Sequence, residues 1–294
     1  MKQAILITAY KNFDHLVDIS NFFDEEFEIY IHIDKKIKVD PLVISNLTSC
    51  SNVKLVSRKF RVNWGGRNHL KAILYLTKKA LEQEENWFFH LISGHDYPIK
   101  KLSYFKSFFA QHSDKNYINH FEVPNAKWPN SGMDRLMYYN LYDLIDAKKH
   151  RHYIVKLNNL QRKYGVKRRI SKQIPKLYGG ETWWSLNKEA ISFLIDYTKT
   201  KPRLFKRMKF TFCSEEIYVQ MVLMNSHLHK TVINDSLRYI DWSSRNGNFP
   251  ANLNIDDWEA IKTSNALFAR KFEFPVSQEL KLALMESNNQ ETSI

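Results

Sequence analysis

The strongest constraint on this chain is a regular alternation over its first hundred residues, in which short apolar, β-prone runs are separated by helix-length segments. Gln3–Tyr10, Glu28–Ile33, Asn52–Val56 and Trp87–Ile92 read as strands. Between them, Asp14 is placed to cap a helix reaching about Phe23. Asn68 is placed to open a longer helix to about Gln83, with Leu70, Ile73, Leu74, Leu76 and Leu81 on its apolar side. Parallel strands need crossovers of this length, so the alternation predicts an α/β fold: a largely parallel sheet with helices on both faces. Such sheets gather ligands beyond the carboxyl ends of their strands. That rule points to Tyr10, Asp34, Trp64–Gly66 and Ser93–Asp96 as the mouth of a site.

Further along, the pattern loosens. Asn116–His120 and Leu237–Ile240 read as strands. Asp134–Tyr164 is mostly helical and aromatic-rich, and Asn187–Thr198, Asp256–Ser264 and Ser277–Met285 are helical. Ser214 is expected to cap another helix reaching about Asn225, and the tail from Ser287 to fray. With no internal repeat or low-complexity linker, the 294 residues are expected to form one domain. Cys50 and Cys213 lack any CxxC spacing and read as reduced thiols of a cytosolic protein. The apolar run at the start is too short for a signal peptide, and no stretch approaches the length needed to span a bilayer, so a soluble or peripheral protein is expected.

A net charge of +13 calls for an anionic partner: nucleic acid, a membrane surface or a phosphate-rich small molecule. From Lys148 to Lys176 there are eleven Lys/Arg and no acidic residue, interleaved with Tyr153, Ile154, Val155, Leu157, Leu160 and Tyr164. This reads either as a basic amphipathic helix and loop suited to an anionic membrane, or as a solvated face rich in lysine. Nucleic acid is disfavoured, because no helix-turn-helix, RNA-recognition or OB pattern accompanies the charge.

Three segments can carry chemistry. Ser93–Pro98 places His95 and Asp96 at the open end of a buried strand, either to contact a sugar or nucleotide or to close a turn. No Asp-x-Asp follows that strand, so no metal clamp for a diphosphate is evident. Cys213-Ser214-Glu215-Glu216 has the spacing of a helix start, and plain capping is the leading account on spacing alone. The alternative is a carboxylate at the lip of a buried helix, its pKa raised by desolvation towards that of a general base. Arg245 and the pair Arg270-Lys271 stand among Trp242, Phe268 and Phe272, as a diphosphate clamp or as ordinary surface charge.

Together these segments resemble the core-2/I-branching β-1,6-N-acetylglucosaminyltransferases and peptide O-xylosyltransferases. The run from His90 to Lys100 looks like that family's Ser-Gly-x-Asp-Tyr/Phe-Pro-Ile signature. Tyr30–Lys36, Trp64-Gly65-Gly66, Gly179–Leu186, Leu237–Trp242 and Leu267–Phe272 follow in the family's order. The resemblance implies a GT-A-like fold with a helical acceptor-side insertion, in which residues 1–120 bind a nucleotide sugar and 121–294 hold acceptor and catalyst. It implies an inverting glycosyltransferase, with Glu216 as base and Glu215 in reserve. Lys271 and Arg245 would stand at the diphosphate in place of a metal. Ala9, Tyr10, Asp34, Trp64, Gly65, Ser93, Gly94 and Asp96 would line the donor side, and Glu122, Arg135, Trp183, Trp184 and Trp242 the acceptor side. The implied donor is a UDP-sugar: N-acetylglucosamine first, with xylose, galactose or galactofuranose as alternatives. No cofactor is implied, with manganese or magnesium left open. The expected acceptor is a glycan or lipid-linked saccharide of surface polysaccharide or glycolipid synthesis, reached from the cytoplasm at the inner membrane face. A binding protein without catalysis is the remaining alternative.

Overall fold

Strand β1 (Lys2–Ala9) is the centre of the molecule. It pairs in parallel with β2 (Phe27–Ile33) on one side and β4 (Asn86–Ser93) on the other. Beyond β2 lies β3 (Val53–Ser57), also parallel. All seven residues of β2 are buried, as expected of a parallel strand covered on both faces. The computed structural model describes residues 2–170 and 176–289; the expected basic stretch at 171–175 and the last part of the expected frayed tail lie outside them.

Past β4 the sheet continues with strands from later in the chain. Three more strands of three, two and three residues are β5 (Asp96–Pro98), β7 (Phe121–Glu122) and β6 (Asn116–Ile118). They are followed by β8 (Tyr178–Gly179), β9 (Trp184–Asn187), β10 (Val232–Ile233), β11 (Arg238–Ile240) and β12 (Phe268–Arg270). The large sheet has the order β10-β6-β9-β4-β1-β2-β3, and only β9 runs against the rest. From β1 the chain order extends to β2 and β3 on one side and to β4 on the other, all parallel, so the strand order reverses between β1 and β4. A crevice opens there, at the carboxyl ends of the two strands.

Each face of the sheet carries its own core. Ala4 and Leu6 of β1 point towards the helices Arg67–Leu81, Lys188–Thr200 and Tyr218–Met224, while Ile5 and Ile7 point towards the helices Phe13–Phe22 and Leu102–Gln111. The side chains alternate as a strand requires, and the expected sheet with helices on both faces is present.

A second sheet, β11-β12-β5, roofs the β4/β9 end. It is fastened by Arg238 of β11, whose guanidinium donates to the carbonyls of Leu91 and Trp184, both at 3.0 Å, and to Ser185 Oγ at 2.9 Å. A buried arginine that bridges carbonyls of β4 and β9 fixes the roof over this end of the sheet, although its Nε has no partner among the described residues.

Several expected helix starts are corrected. The first helix begins at Phe13, with Asp14 inside its first turn instead of capping it. The helix Arg67–Leu81 follows Gly66, and its amino end is capped from a distance: Asp143 Oδ1 accepts from Asn68 N at 3.1 Å. Ser214 caps no helix. Ser214–Glu216 is a 3-10 turn, the α-helix begins only at Tyr218, and Ser214 Oγ is buried without a partner.

Candidate active site

The floor of the crevice is built from the ends of β1 and β4. Gly94 N donates to Thr8 O at 3.0 Å, and a Cβ on Gly94 would stand 3.1 Å from that of Ala9, so glycine lets the two strand ends close together. Asp34, just past β2, is also structural. Its N–H donates to Ala9 O at 2.9 Å, and its Oδ1 accepts from Lys36 N and Val62 N, both at 3.0 Å, which pins the loop leading to Trp64. At the mouth, Tyr10 is partly exposed, 5.2 Å from the His95 ring, with Lys148 Nζ 4.5 Å above its own ring. Trp64 is 52 % exposed and packs edge-on against Tyr142 and Phe212. Gly65 has φ +78°, and Phe212 lies 2.5 Å from where its Cβ would be, so this turn accepts only glycine.

The roof supplies positive charge. In the antiparallel β5/β12 ladder Asp96 lies opposite Arg270. The side chains form a buried ion pair at 3.8 Å, with Asp96 Oδ1 and Arg270 Nε each lacking a hydrogen bond. Asp96 Oδ2 accepts from Ser93 N at 2.6 Å and from the Ser93 hydroxyl. Asp96 is wholly buried and Ser93 nearly so. Neither presents a side chain to a ligand, which corrects the expected direct contact: Asp96 closes its own turn and orients Arg270. The Arg270 guanidinium also lies over the Trp183 ring at 4.0 Å, and its charge acts on Glu181 and Glu216. Trp183 therefore supports an arginine. Lys271 follows, with no hydrogen bond to its ammonium among the described residues; burial, then Arg270, pulls its pKa from the ordinary lysine value down to about 8.

Arg245 stands elsewhere. It donates to Asp241 Oδ2 at 2.9 Å, to Asn254 Oδ1 at 2.7 Å and to Asp257, and so staples the loop between β11 and the helix Trp258–Thr263. With three acceptors already engaged, it is not arranged as a free phosphate ligand. The cation beside Lys271 is Arg270, which the sequence offered as half of a candidate clamp but which the resemblance passed over in favour of Arg245.

The carboxylates come from the 3-10 turn. Glu216 Oε2 accepts from Arg135 Nη1, whereas Oε1 has no partner among the described residues, and the side chain is 27 % exposed. Burial raises its pKa, and the Arg135 charge opposes that rise. Arg135 is itself braced on the Trp128 ring at 3.7 Å. Gly180 N donates to Glu216 O at 2.9 Å. Glu215 points the other way. Its Oε1 faces His69 Nδ1 at 3.1 Å, and His69 Nε2 faces Thr8 Oγ1 at 3.2 Å, while Oε2 is buried without a partner. The two adjacent carboxylates thus have separate surroundings, one opening to the crevice and one tied to β1. His69 carried no sequence signal, being one polar position on an otherwise amphipathic helix. Glu181, held at Oε2 by the Ser236 hydroxyl at 2.8 Å and raised in pKa by burial, was likewise missed.

The expected acceptor residues divide. Arg135 is at the site through Glu216. Glu122 is exposed and pairs with Lys176 at 2.8 Å beside the antiparallel β7/β8 pair. Trp184 is 1 % exposed and packs in the core, which corrects its assignment to the acceptor surface. Trp242 is 55 % exposed and pairs with Phe249 at 5.9 Å on the loop stapled by Arg245.

Fold and site together define a GT-A-like α/β domain: a mostly parallel sheet whose switch point gathers a paired carboxylate, an arginine on tryptophan and a lysine of lowered pKa. Residues 4–264 match the model of the family Core-2/I-Branching enzyme, and the chain belongs to that family. Xylosyltransferase 1 of Homo sapiens is 27 % identical over 273 residues, which is 85 % of this chain and 26 % of that protein. A xylosyltransferase of Ciona intestinalis is 23 % identical over 274 residues, 85 % of this chain and 30 % of the other. The chain thus spans less than a third of the length of these relatives. Among solved structures, S. aureus TarS 1-349 overlaps 79 % of this chain and 57 % of its own at TM-score 0.38 and 14 % identity, and the family match does not depend on it.

Proposed function

We propose that this chain is an inverting glycosyltransferase that moves a sugar from a UDP-sugar to a hydroxyl of a glycan or lipid-linked saccharide, with Glu216 as general base. The observation that carries the reading is the division of labour on one carboxylate. Arg135 holds Oε2, and Oε1 is left to accept a hydrogen bond from an acceptor hydroxyl. Taking that proton while the oxygen attacks C1 opposite the nucleotide gives inversion.

Arg270 and Lys271 meet the charge that develops on the departing diphosphate, a task otherwise given to a divalent ion. Arg270 takes the place first expected of Arg245. N-acetylglucosamine is the first donor to test and xylose, the sugar in the relatives' names, the second; galactose and galactofuranose follow. Surface polysaccharide or glycolipid synthesis at the cytoplasmic side of a membrane is the setting this reading implies.

The test is UDP release and sugar transfer from a panel of UDP-sugars, in EDTA and then in manganese, with wild type and Glu216→Gln. Turnover of one donor in EDTA is expected, lost in Glu216→Gln while UDP binding persists. Transfer surviving in that variant would remove Glu216 from the role, and turnover only with manganese would overturn the cation clamp.

A further inference from the structure

We propose that the exposed face of the helix Ala147–Lys163 docks on an anionic phospholipid bilayer and sets the mouth of the crevice against it. The helix has two unlike sides. Ile154 and Gln161, seven residues apart, are buried and hold it to the protein, as does Ala147 ahead of a kink at His150. About a quarter-turn from that seam, Tyr153, Leu157, Leu160 and the following Tyr164 recur at spacings of four, three and four, forming one stripe, and all four are exposed, Tyr164 at 69 %. Lys156 and Lys163 run beside that stripe, seven residues apart, with Lys149 ahead of the kink at His150, and all three are exposed. No acidic residue occurs from 147 to 170, so these charges have no internal counterpart on the helix. Of the other cations nearby, Arg162 is paired with Asp134 and Arg168 is buried.

An apolar stripe flanked by lysines fits a surface that is negative at its edge and apolar beneath. Leu157 and Leu160 at the middle of the stripe favour lipid over a single-stranded nucleic acid, which binds through stacked aromatic rings. The helix also begins at the site. Its N-cap Asp146 pairs with Lys36 at 3.3 Å, and Lys148 stands over Tyr10. A bilayer on this face would therefore lie beside the crevice, where a membrane-embedded acceptor could enter. No helix among the described residues is long and apolar enough to cross a membrane, so the attachment is to its surface.

The test is cosedimentation of the full chain with vesicles of phosphatidylcholine alone or mixed with phosphatidylglycerol, at low and high salt. Binding is expected only to the anionic vesicles and is expected to fall with salt. The triple variant K149Q/K156Q/K163Q should partition on the order of 100-fold less, about fivefold for each charge removed. The pair L157N/L160N should bind about tenfold less even at low salt. Neither set touches the crevice, so UDP binding should be unchanged in both, which separates this test from that of catalysis. Failure of the wild type to bind phosphatidylglycerol vesicles, equal binding to neutral ones, or undiminished binding by the triple variant would each overturn the proposal. So would binding of single-stranded RNA in place of vesicles.

Discussion

Lys271 makes the hold on a diphosphate depend on pH, with a sign and size that follow from its surroundings. Burial and the neighbouring Arg270 bring its ammonium to about 8 in the free protein. The site then presents a charged lysine below about pH 8 and a neutral one above it, while bound diphosphate restores the proton by adding negative charge. Binding above that point takes up a proton, so affinity falls as pH rises. The charged fraction drops from about nine-tenths at pH 7 to about one-tenth at pH 9, which predicts UDP binding about tenfold weaker, roughly 1.4 kcal/mol. The last phosphate ionisation of UDP, at about pH 6, is largely complete by about pH 7, so the diphosphate's own charge changes little over this window.

Isothermal titration with UDP across the range gives the affinity, and buffers of different ionisation enthalpy report the proton uptake. Lys271→Arg should bind without the fall, since its charge persists throughout. Lys271→Met should be weak and flat. A flat wild-type profile, or a slope that survives in Lys271→Met, would refute the reasoning. Folding responds with the opposite sign: between about 8 and the ordinary 10.5 the unfolded lysine holds a proton that the folded one does not. The ligand-free protein should therefore gain stability as pH rises through that window.

Other outcomes follow from single contacts. Arg135→Met removes the charge that opposes the raised pKa of Glu216, so the acid limb of the kcat profile should move to higher pH; an unmoved limb would show that the pair does not tune the base. Gly180→Ala would place a Cβ 1.9 Å from Asn119 O, and thermal unfolding should show a loss of more than about 4 kcal/mol, with activity falling alongside. Trp184→Ala should cost about 3–5 kcal/mol in denaturant unfolding, whereas Trp184→Phe, which also removes an indole N–H buried without a partner, should cost far less.

Strands β1 to β4 were legible because a parallel strand covered on both faces must be an apolar run, and the site mouth follows from their carboxyl ends. The direction of β9 was not legible. Trp184–Asn187 is buried on both sides, and its reversal depends on β4 and β6, which lie far off in sequence. The cap expected at Ser214 failed for a related reason: its neighbours are claimed at long range, Glu215 by His69 and Glu216 by Arg135, and the turn tightens around them. Asp143 caps the helix after Gly66 from 75 residues away, where no local spacing could show it. Arg245 was misread because a basic residue among aromatics resembles a ligand site until its three acceptors are known. Glu216, by contrast, was legible only through resemblance, since spacing alone favoured a cap.

The seven-residue seam of Ile154 and Gln161 has a consequence for how this segment can change over generations. The buried Ile154 and Gln161, with the side-chain bonds of Asn158 to Asn140 and of Arg162 to Asp134, are in one register beyond the kink at His150 and tie the helix to the protein body. One inserted residue would turn everything after it by about 100° and bring lysines against the body, so the length is constrained. The outward positions carry no such restriction, and their charge and greasiness can drift or be rewritten while the catalytic half stays intact. The helix is in that sense an exchangeable address label: relatives or engineered forms can be sent to a different surface by editing one face, without relearning the chemistry.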